Sequence, residues 1–220
     1  PVSRTGFQAS YAYHLKLTEA MKLSFTLSAG VLQYAVDGNR VETQRSLDPA
    51  LTNVWGVAYA PDFGLGTRLY GKNWHVGVYV PQVTNSKAQL FDDFSGTDNY
   101  LSRHYYLNAG YKYDIGSSDF AIEANFLGRY VHPIDIFDLQ LRAIYKDMVW
   151  VGGLVRSPLI SDQAPNAIGI MAGYNFQNNL TIGYAYDLPM GVIAQSSSGT
   201  HEVMLGIRFS KKNKREPVSE

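Results

Sequence analysis

The feature that most constrains the fold of this chain is a strict alternation of apolar and polar residues over long segments. Between Phe7 and Leu17 every second residue is apolar, and the segment from Met21 to Val31 repeats the pattern. A period of two is typical of β-strands that have one apolar face and one polar face. The connection Thr18–Ala20 is too short for a crossover helix, so the two segments are predicted to form an antiparallel hairpin.

Similar segments of about ten residues continue to the end of the chain, which gives eleven candidate strands and no convincing amphipathic helix. The further segments are Asp62–Tyr70, Trp74–Val83, His104–Ile115, Phe120–Val131, Ile136–Tyr145, Met148–Arg156, Ala167–Phe176, Leu180–Tyr186 and His201–Phe209. The predicted fold is therefore all-β, with an antiparallel up-and-down order.

The connections between these segments alternate in length. Short turns rich in Gly, Asn, Asp and Ser are expected at Thr18–Ala20, Gly71–Asn73, Gly116–Asp119, Lys146–Asp147 and Gln177–Asn179. Longer loops are expected at Asp37–Ala60, Thr84–Arg103, His132–Asp135, Ser157–Asn166 and Asp187–Gly199. Short turns at one rim and long loops at the other are typical of a transmembrane β-barrel of the bacterial outer membrane.

Composition excludes several classes of protein. The 19 basic and 19 acidic residues balance, which argues against a nucleic-acid binder, because phosphate binding needs a basic excess on one face. The chain has no Cys, so disulfides, thiolate nucleophiles and Cys-ligated zinc are excluded. No apolar run reaches the length of about 18 residues that a membrane-spanning helix needs, whereas a membrane barrel remains compatible with the sequence.

Aromatic residues cluster near the ends of the predicted strands. They are Tyr34, Tyr70, Trp74, Tyr105, Tyr113, Tyr130, Tyr145, Trp150 and Tyr186. Rings with one polar end favour the depth of lipid headgroups, so the cluster is consistent with two interfacial belts. Aromatic residues also favour strands in general, and either explanation fits a single tyrosine.

The strand count leads to an expectation about the domain boundaries. If the short turns are periplasmic, the last strand ends in the periplasm and the first begins at the outer rim. Bacterial barrels have an even number of strands with both ends inside, so eleven strands predict an N-terminal truncation. We accordingly expect a barrel over residues 1–210 and a basic periplasmic tail over residues 211–220.

Five segments of the chain resemble the PorP/SprF family of type IX secretion system outer-membrane proteins of the Bacteroidetes. They are SYAYHLKL, LSFTLSAGVLQY, PDFGLGTRLY, VGVYVPQVTNSK and, above all, GTHEVMLGIRF. The resemblance implies an intact barrel of about fourteen strands in the outer membrane. It also implies a non-enzymatic scaffold or accessory for export and surface anchoring of cargo such as gliding adhesins, with outer-membrane lipid, secretion components and secreted cargo as partners.

Catalytic and metal sites find little support in the sequence. His14 lies near Ser10 and His201 beside Glu202, which are the strongest candidates for a lipid hydrolase or a metal site. Nucleophilic catalysis needs a nucleophile, a base and an orienting group that converge, and neither a nucleophile elbow nor a zinc-binding helix motif is present. We therefore predict no enzymatic activity, no metal and no cofactor.

Charged residues inside the predicted strands are better candidates for a functional surface. An Arg or Lys that faces hydrocarbon at mid-depth costs about 2 to 4 kcal/mol, so these side chains are expected to face the barrel lumen. The candidates are Arg68, Lys112, Asp114, Glu123, Arg129, Asp138, Arg142, Glu202 and Arg208. Because both signs occur, they could form ion pairs that fill the lumen, or they could line a passive or selective porin channel, which is the alternative function. Arg68 and Arg156 could equally act as interfacial anchors.

Two long loops are candidate docking surfaces for partner proteins. The candidate residues are Arg40 and Arg45 in the first loop and Phe91, Asp92, Asp93 and Phe94 in the second. Acidic and aromatic residues suit protein recognition, and loops on rigid scaffolds often carry function. A plain solvated connector explains both loops equally well.

Overall fold

The structure is a computed structural model that describes residues 2–37, 55–86, 101–159, 165–176 and 179–209. Within these ranges the strands are β1 Val2–Lys16, β2 Lys22–Asp37, β3 Trp55–Tyr70, β4 Trp74–Val80, β5 Tyr105–Asp114, β6 Phe120–Val131, β7 Ile134–Tyr145, β8 Val149–Pro158, β9 Ala167–Asn175, β10 Leu180–Pro189 and β11 Thr200–Ile207. A short 3-10 helix spans Gly191–Gln195. None of the described helical segments is long and apolar enough to cross a membrane.

The described strands form one sheet in the order β1 to β11, so each strand is hydrogen-bonded to its neighbour in sequence. The pairs at both ends of the order are antiparallel. In the described residues the sheet is not closed, since β1 and β11 end the order. The predicted all-β, antiparallel, up-and-down fold is confirmed, as are its eleven strands.

The chain divides into two compact units. Unit 1 comprises Pro1–Gly110 and Phe126–Ile136, and unit 2 comprises Tyr111–Asn125 and Phe137–Glu220. Both units consist of the same kind of two-faced strand, and each is described below by itself.

In unit 1 the strand register places polar and small residues on one face. Across β1, β2 and β3, Gln8 lies opposite Gly30 and Gly30 opposite Asp62, and the next row joins Ser10, Ser28 and Gly64. We call this the polar face of unit 1. Its side chains include the most deeply buried ones, such as Ser28 with 1% of its surface exposed.

The other face of unit 1 carries large apolar side chains that are exposed. Phe7 is 74% exposed, and the rest of this apolar face shows the same pattern. Its exposed members include Tyr11, Tyr13, Phe25, Leu27, Val31, Tyr59, Phe63, Leu65, Val76 and Val78. This distribution is the reverse of that in a soluble domain, where apolar side chains are covered and polar ones face water.

Unit 2 has the same inverted arrangement. On β7 the side chain of Asp138 is buried with 4% exposure, while Leu139 and Leu141 beside it are exposed. On β11, Val203 is 80% exposed, and Leu205 follows on the same face. We call the two sides the polar face and the apolar face of unit 2. No second sheet covers the apolar face within the described residues, which excludes a sandwich core there.

The buried apolar clusters are small and lie on the polar faces. In unit 1, Ala58, Ala60 and Leu101 form one cluster. In unit 2, the cluster consists of Ala121, Ile144 and Trp150, with Met171 packed against it. These clusters are too small to act as the core of a soluble domain of this size.

Several predicted boundaries were wrong. The strands on either side of the first long loop are longer than expected, because β2 ends at Asp37 and β3 begins at Trp55. The loop predicted at His132–Asp135 is instead a tight turn between β6 and β7. Asp187, expected in a loop, lies within β10, because the alternating pattern of that strand continues to Pro189.

Candidate functional site

The polar face of unit 2 carries an ion pair whose cation is also held by an aromatic ring. Arg142 on β7 donates from Nη2 to Oε2 of Glu123 on β6 over 2.7 Å. Its guanidinium carbon lies 5.2 Å from the ring centroid of Trp150 on β8, within the range of a cation–π contact. Asn125 donates to the other carboxylate oxygen of Glu123 over 3.1 Å. Three adjacent strands are therefore connected through charged and aromatic side chains.

Trp150 continues this connection across two further strands. The register places Trp150 opposite Gly173 on β9 and Gly173 opposite Gly183 on β10. A Cβ atom at Gly173 would lie 2.2 Å from the indole, so only glycine leaves room for the ring. Trp150 is buried on the polar face, with 8% of its surface exposed, so its predicted role in an interfacial belt was wrong.

Arg156 on β8 forms a second ionic cluster. It donates from Nε and Nη2 to the two carboxylate oxygens of Asp138 on β7 over 2.9 and 3.2 Å, which is a bidentate geometry. Its Nη1 donates to Asp187 on β10 over 3.2 Å. Gly169 on the intervening strand makes this reach possible, because a Cβ atom there would lie 2.5 Å from Asp187 Oδ1. Arg156 was predicted as a possible interfacial anchor and instead pairs with two carboxylates.

The short turns of unit 2 carry more exposed ion pairs. Lys112 on β5 contacts Asp147 in the β7–β8 turn and lies 3.8 Å from Asp114. Lys146 lies 3.6 Å from Asp119. A side-chain hydrogen bond with Tyr145, together with attraction to Tyr145 and Asp119, raises the pKa of Lys146.

The polar face of unit 1 is connected mainly by neutral groups. Ser28 Oγ on β2 and Tyr79 Oη on β4 lie 2.7 Å apart, and Gly64 on β3 lies between them. A Cβ atom at Gly64 would lie 2.4 Å from the tyrosine hydroxyl. His14 Nδ1 on β1 lies 3.0 Å from the Tyr70 hydroxyl on β3. Hydroxyl and imidazole groups take the place of the ion pairs of unit 2.

The remaining predicted lumen residues are spread along the strands. Arg68 lies on the polar face of unit 1 with its guanidinium 5.9 Å from the Tyr70 ring centroid. Arg129 lies on β6, and Glu202 lies on β11 opposite Ala185. The backbone N–H of Arg208 donates to the Asn179 carbonyl over 2.9 Å. The six predicted docking residues Arg40, Arg45, Phe91, Asp92, Asp93 and Phe94 lie outside the described residues.

The histidines that suggested catalysis have tyrosine partners. His14 contacts Tyr70, and His201 Nδ1 lies 2.7 Å from the Tyr184 hydroxyl. In the part of the chain that the structure describes, no three His, Asp or Glu side chains come together as metal ligands would. The polar faces thus offer paired charges and hydroxyls for structure and binding.

Comparison with known proteins is consistent with these features. The family model described as type IX secretion system membrane protein PorP/SprF matches residues 1–207. A search of curated proteins found no match. The family match covers nearly the whole chain, including every described strand, and it agrees with the resemblance of the five segments. The chain belongs to the PorP/SprF family of type IX secretion system membrane proteins.

Proposed function

We propose that this protein is an outer-membrane β-barrel that acts as a non-enzymatic scaffold or accessory for type IX export. Its role is to bind secretion components and secreted cargo, such as gliding adhesins, during export and anchoring at the cell surface. The observation that supports membrane insertion best is the inverted distribution of side chains on β2 to β10, with exposed apolar faces and more deeply covered polar faces. In water such a large exposed apolar surface would cause aggregation, whereas in lipid it is solvated.

The length of the apolar face supports the same location. On β1, apolar residues alternate from Phe7 to Leu15, and on β2 they alternate from Leu23 to Val31. Runs of this length agree with the roughly 9 to 11 residues that a tilted transmembrane strand needs. We further propose that residues 1–210 belong to the barrel and that the basic tail, 211–220, lies in the periplasm.

Of the two forms of the alternative, a passive or a selective porin, the ion pairs argue against the selective one. Arg142 with Glu123 and Arg156 with Asp138 compensate one another's charge across neighbouring strands. A lining in which opposite charges are paired stiffens the barrel wall and gives weak selection for ions of either sign. Conductance of the intact protein in planar bilayers tests this directly, and large stable channels would favour the porin.

The membrane orientation can be tested with two neighbouring residues on β1. The chain has no Cys, so Ala9→Cys on the apolar face and Ser10→Cys on the polar face each give a single labelling site. The intact protein carries a small fluorophore at either position in vesicles whose acyl chains are brominated. We expect quenching at position 9 and little at position 10, and equal quenching at both positions would contradict lipid contact by the apolar face.

The export role needs a separate experiment in cells. Deletion of the gene should reduce secretion and surface display of cargo, and the wild-type gene should restore both. Crosslinking in native membranes, followed by purification, should recover secretion components or surface cargo with the protein. Recovery of lipids alone, with normal secretion in the deletion strain, would contradict the scaffold role and leave the barrel assignment intact.

A further inference from the structure

A cavity of about 600 Å³ opens on the polar face of unit 1. This volume lies within the range of about 300 to 1,000 Å³ that is usual for small-molecule sites. Its polar and aromatic lining includes Arg4, Gln8, Asp62, Tyr79, Gln82 and Tyr106. The cavity lies towards the long-loop ends of β1 to β5, because Gln82 follows β4 and Tyr106 is the second residue of β5.

Glycines occupy two neighbouring rows of the sheet at the cavity. Gly30 separates Gln8 from Asp62 in one row, and Gly6 precedes Leu32 and Ala60 in the next. A Cβ atom at Gly30 would lie 2.4 Å from the Phe7 carbonyl oxygen, so the close approach of the two strands requires glycine there. Gly6 and Leu32 line the cavity together with its polar and aromatic side chains.

Asp62 provides a fixed hydrogen-bonding group in the wall. The residue is 5% exposed, and its two carboxylate oxygens accept from the backbone N–H and the side-chain Nε2 of Gln82, both over 3.2 Å. Gln82 has a φ of 50°, in the left-handed region that non-glycine residues seldom adopt. Backbone conformations of this kind often occur at ligand sites, where the surrounding structure holds them in place.

Aromatic rings also line the cavity. The ring centroids of Tyr79 and Tyr106 lie 6.4 Å apart, and His104 stacks on Tyr106 at an interplanar angle of 21°. His104 Nδ1 donates to the Ser102 carbonyl over 2.7 Å, because a carbonyl can only accept. In the neutral ring this leaves Nε2 as an acceptor.

We propose that this cavity binds a neutral, hydroxyl-rich ligand, that is, a carbohydrate. Ring faces such as that of Tyr106 pack against the apolar C–H face of a sugar, while Asp62, Gln82 and Gln8 accept from and donate to its hydroxyls. Arg4 and Asp62 contribute opposite charges, so the site has no net preference for an ion. The proposal does not depend on the export role.

The test is titration of the intact, detergent-solubilised protein by calorimetry with two neutral probes. One probe is maltotriose, and the other is the dephosphorylated core oligosaccharide released from the native outer membrane. Saturable binding of maltotriose alone would indicate that the natural ligand is a soluble glycan. Saturable binding of the dephosphorylated core oligosaccharide alone would indicate a membrane glycan. If neither probe binds at millimolar concentration, or if the phosphorylated core oligosaccharide binds better than its neutral form, the proposal is wrong.

Variants distinguish this cavity from other surfaces. Tyr106→Leu keeps an apolar side chain but removes the ring, and Asp62→Asn removes one acceptor oxygen; each should weaken binding at least tenfold. The matched control is Tyr11→Leu, a ring lost from the exposed apolar face of β1, which should leave the affinity unchanged. Since Asp62→Asn could also disturb folding, Tyr106→Leu decides the outcome, and unchanged binding by a folded Tyr106→Leu protein would overturn the proposal.

Discussion

The polar faces of the two units satisfy their buried groups with different chemistry. In unit 1 the strands are joined by hydroxyls, as between Ser28 and Tyr79, whereas in unit 2 they are joined by guanidinium–carboxylate pairs, as between Arg156 and Asp138. In both units a long side chain also lies over a glycine of the neighbouring strand, Tyr79 over Gly64 in unit 1 and Trp150 over Gly173 in unit 2. The comparison shows that one pattern of alternation can support either a neutral or an ionic face.

The difference predicts unequal sensitivity to mutation. A neutral hydrogen bond contributes about 1 kcal/mol to stability, whereas removing one member of a buried ion pair leaves an uncompensated charge and costs about 3 to 5 kcal/mol. Unit 2 should therefore be the more sensitive to single substitutions. Unit 1, with its neutral links, should tolerate such substitutions better.

The largest effect is expected for Arg156→Met in unit 2. The substitution keeps much of the side-chain volume but leaves the buried Asp138 and the nearby Asp187 without their cation. We expect a loss of about 3 kcal/mol in the free energy of unfolding, measured by urea denaturation in detergent micelles. Adding Asp138→Asn to Arg156→Met should restore most of the lost stability. If Arg156→Met alone is as stable as wild type, the ion pair does not stabilise unit 2.

The glycines under the long side chains sharpen the comparison. A methyl group at Gly173 would meet the rigid indole of Trp150 and lie 2.7 Å from the Ile182 carbonyl oxygen. At Gly64 it would meet only the ends of the Tyr79 and Ser28 side chains. We expect Gly173→Ala to cost about 2 kcal/mol by overpacking and Gly64→Ala about 1 kcal/mol by loss of a hydrogen bond. If the two substitutions lower the free energy of unfolding equally in the same urea experiment, the surroundings of Gly173 are not more rigid than those of Gly64.

The sequence predicts strands with two faces, because the period of two leaves only two directions for a side chain. The cost of a charge in hydrocarbon predicted that Glu123 and Arg142 point inward, and in the structure the two side chains pair with each other. The sequence could not identify their partners, since pairing depends on strand register and on glycines in neighbouring strands. Arg156 reaches Asp187 only because Gly169 is small.

Boundary errors have a related cause. Asp187 was assigned to a loop, whereas its pairing with Arg156 allows β10 to continue. Trp150 was assigned to an interfacial belt because it lies near a strand end, although its position in the alternation is that of the polar face. Both residues depend on contacts between strands that are distant in sequence, which a local pattern does not contain.

A smaller effect is expected for the hydroxyl link in unit 1. Ser28→Ala and Tyr79→Phe each remove one partner of the 2.7 Å hydrogen bond. Each should lower the free energy of unfolding by about 1 kcal/mol. The double variant should cost less than the sum, because both substitutions remove the same interaction. Strict additivity in the double-mutant cycle would show that the two groups do not interact.

The smallest effect is expected at the exposed rim of unit 2, for Lys146→Met. Lys146 and Asp119 are well exposed, so water and salt screen their attraction. The pKa of Lys146 is raised in the folded protein, chiefly by its hydrogen bond with Tyr145. The charged Lys146 therefore stabilises the folded protein at pH values below the unfolded-state pKa of about 10.4. That contribution disappears as the pH rises through the folded-state value. The free energies of unfolding of wild type and Lys146→Met should therefore differ slightly at neutral pH and converge in strong alkali. A loss at pH 7 as large as that of Arg156→Met would contradict the contrast between the exposed rim and the polar face of unit 2.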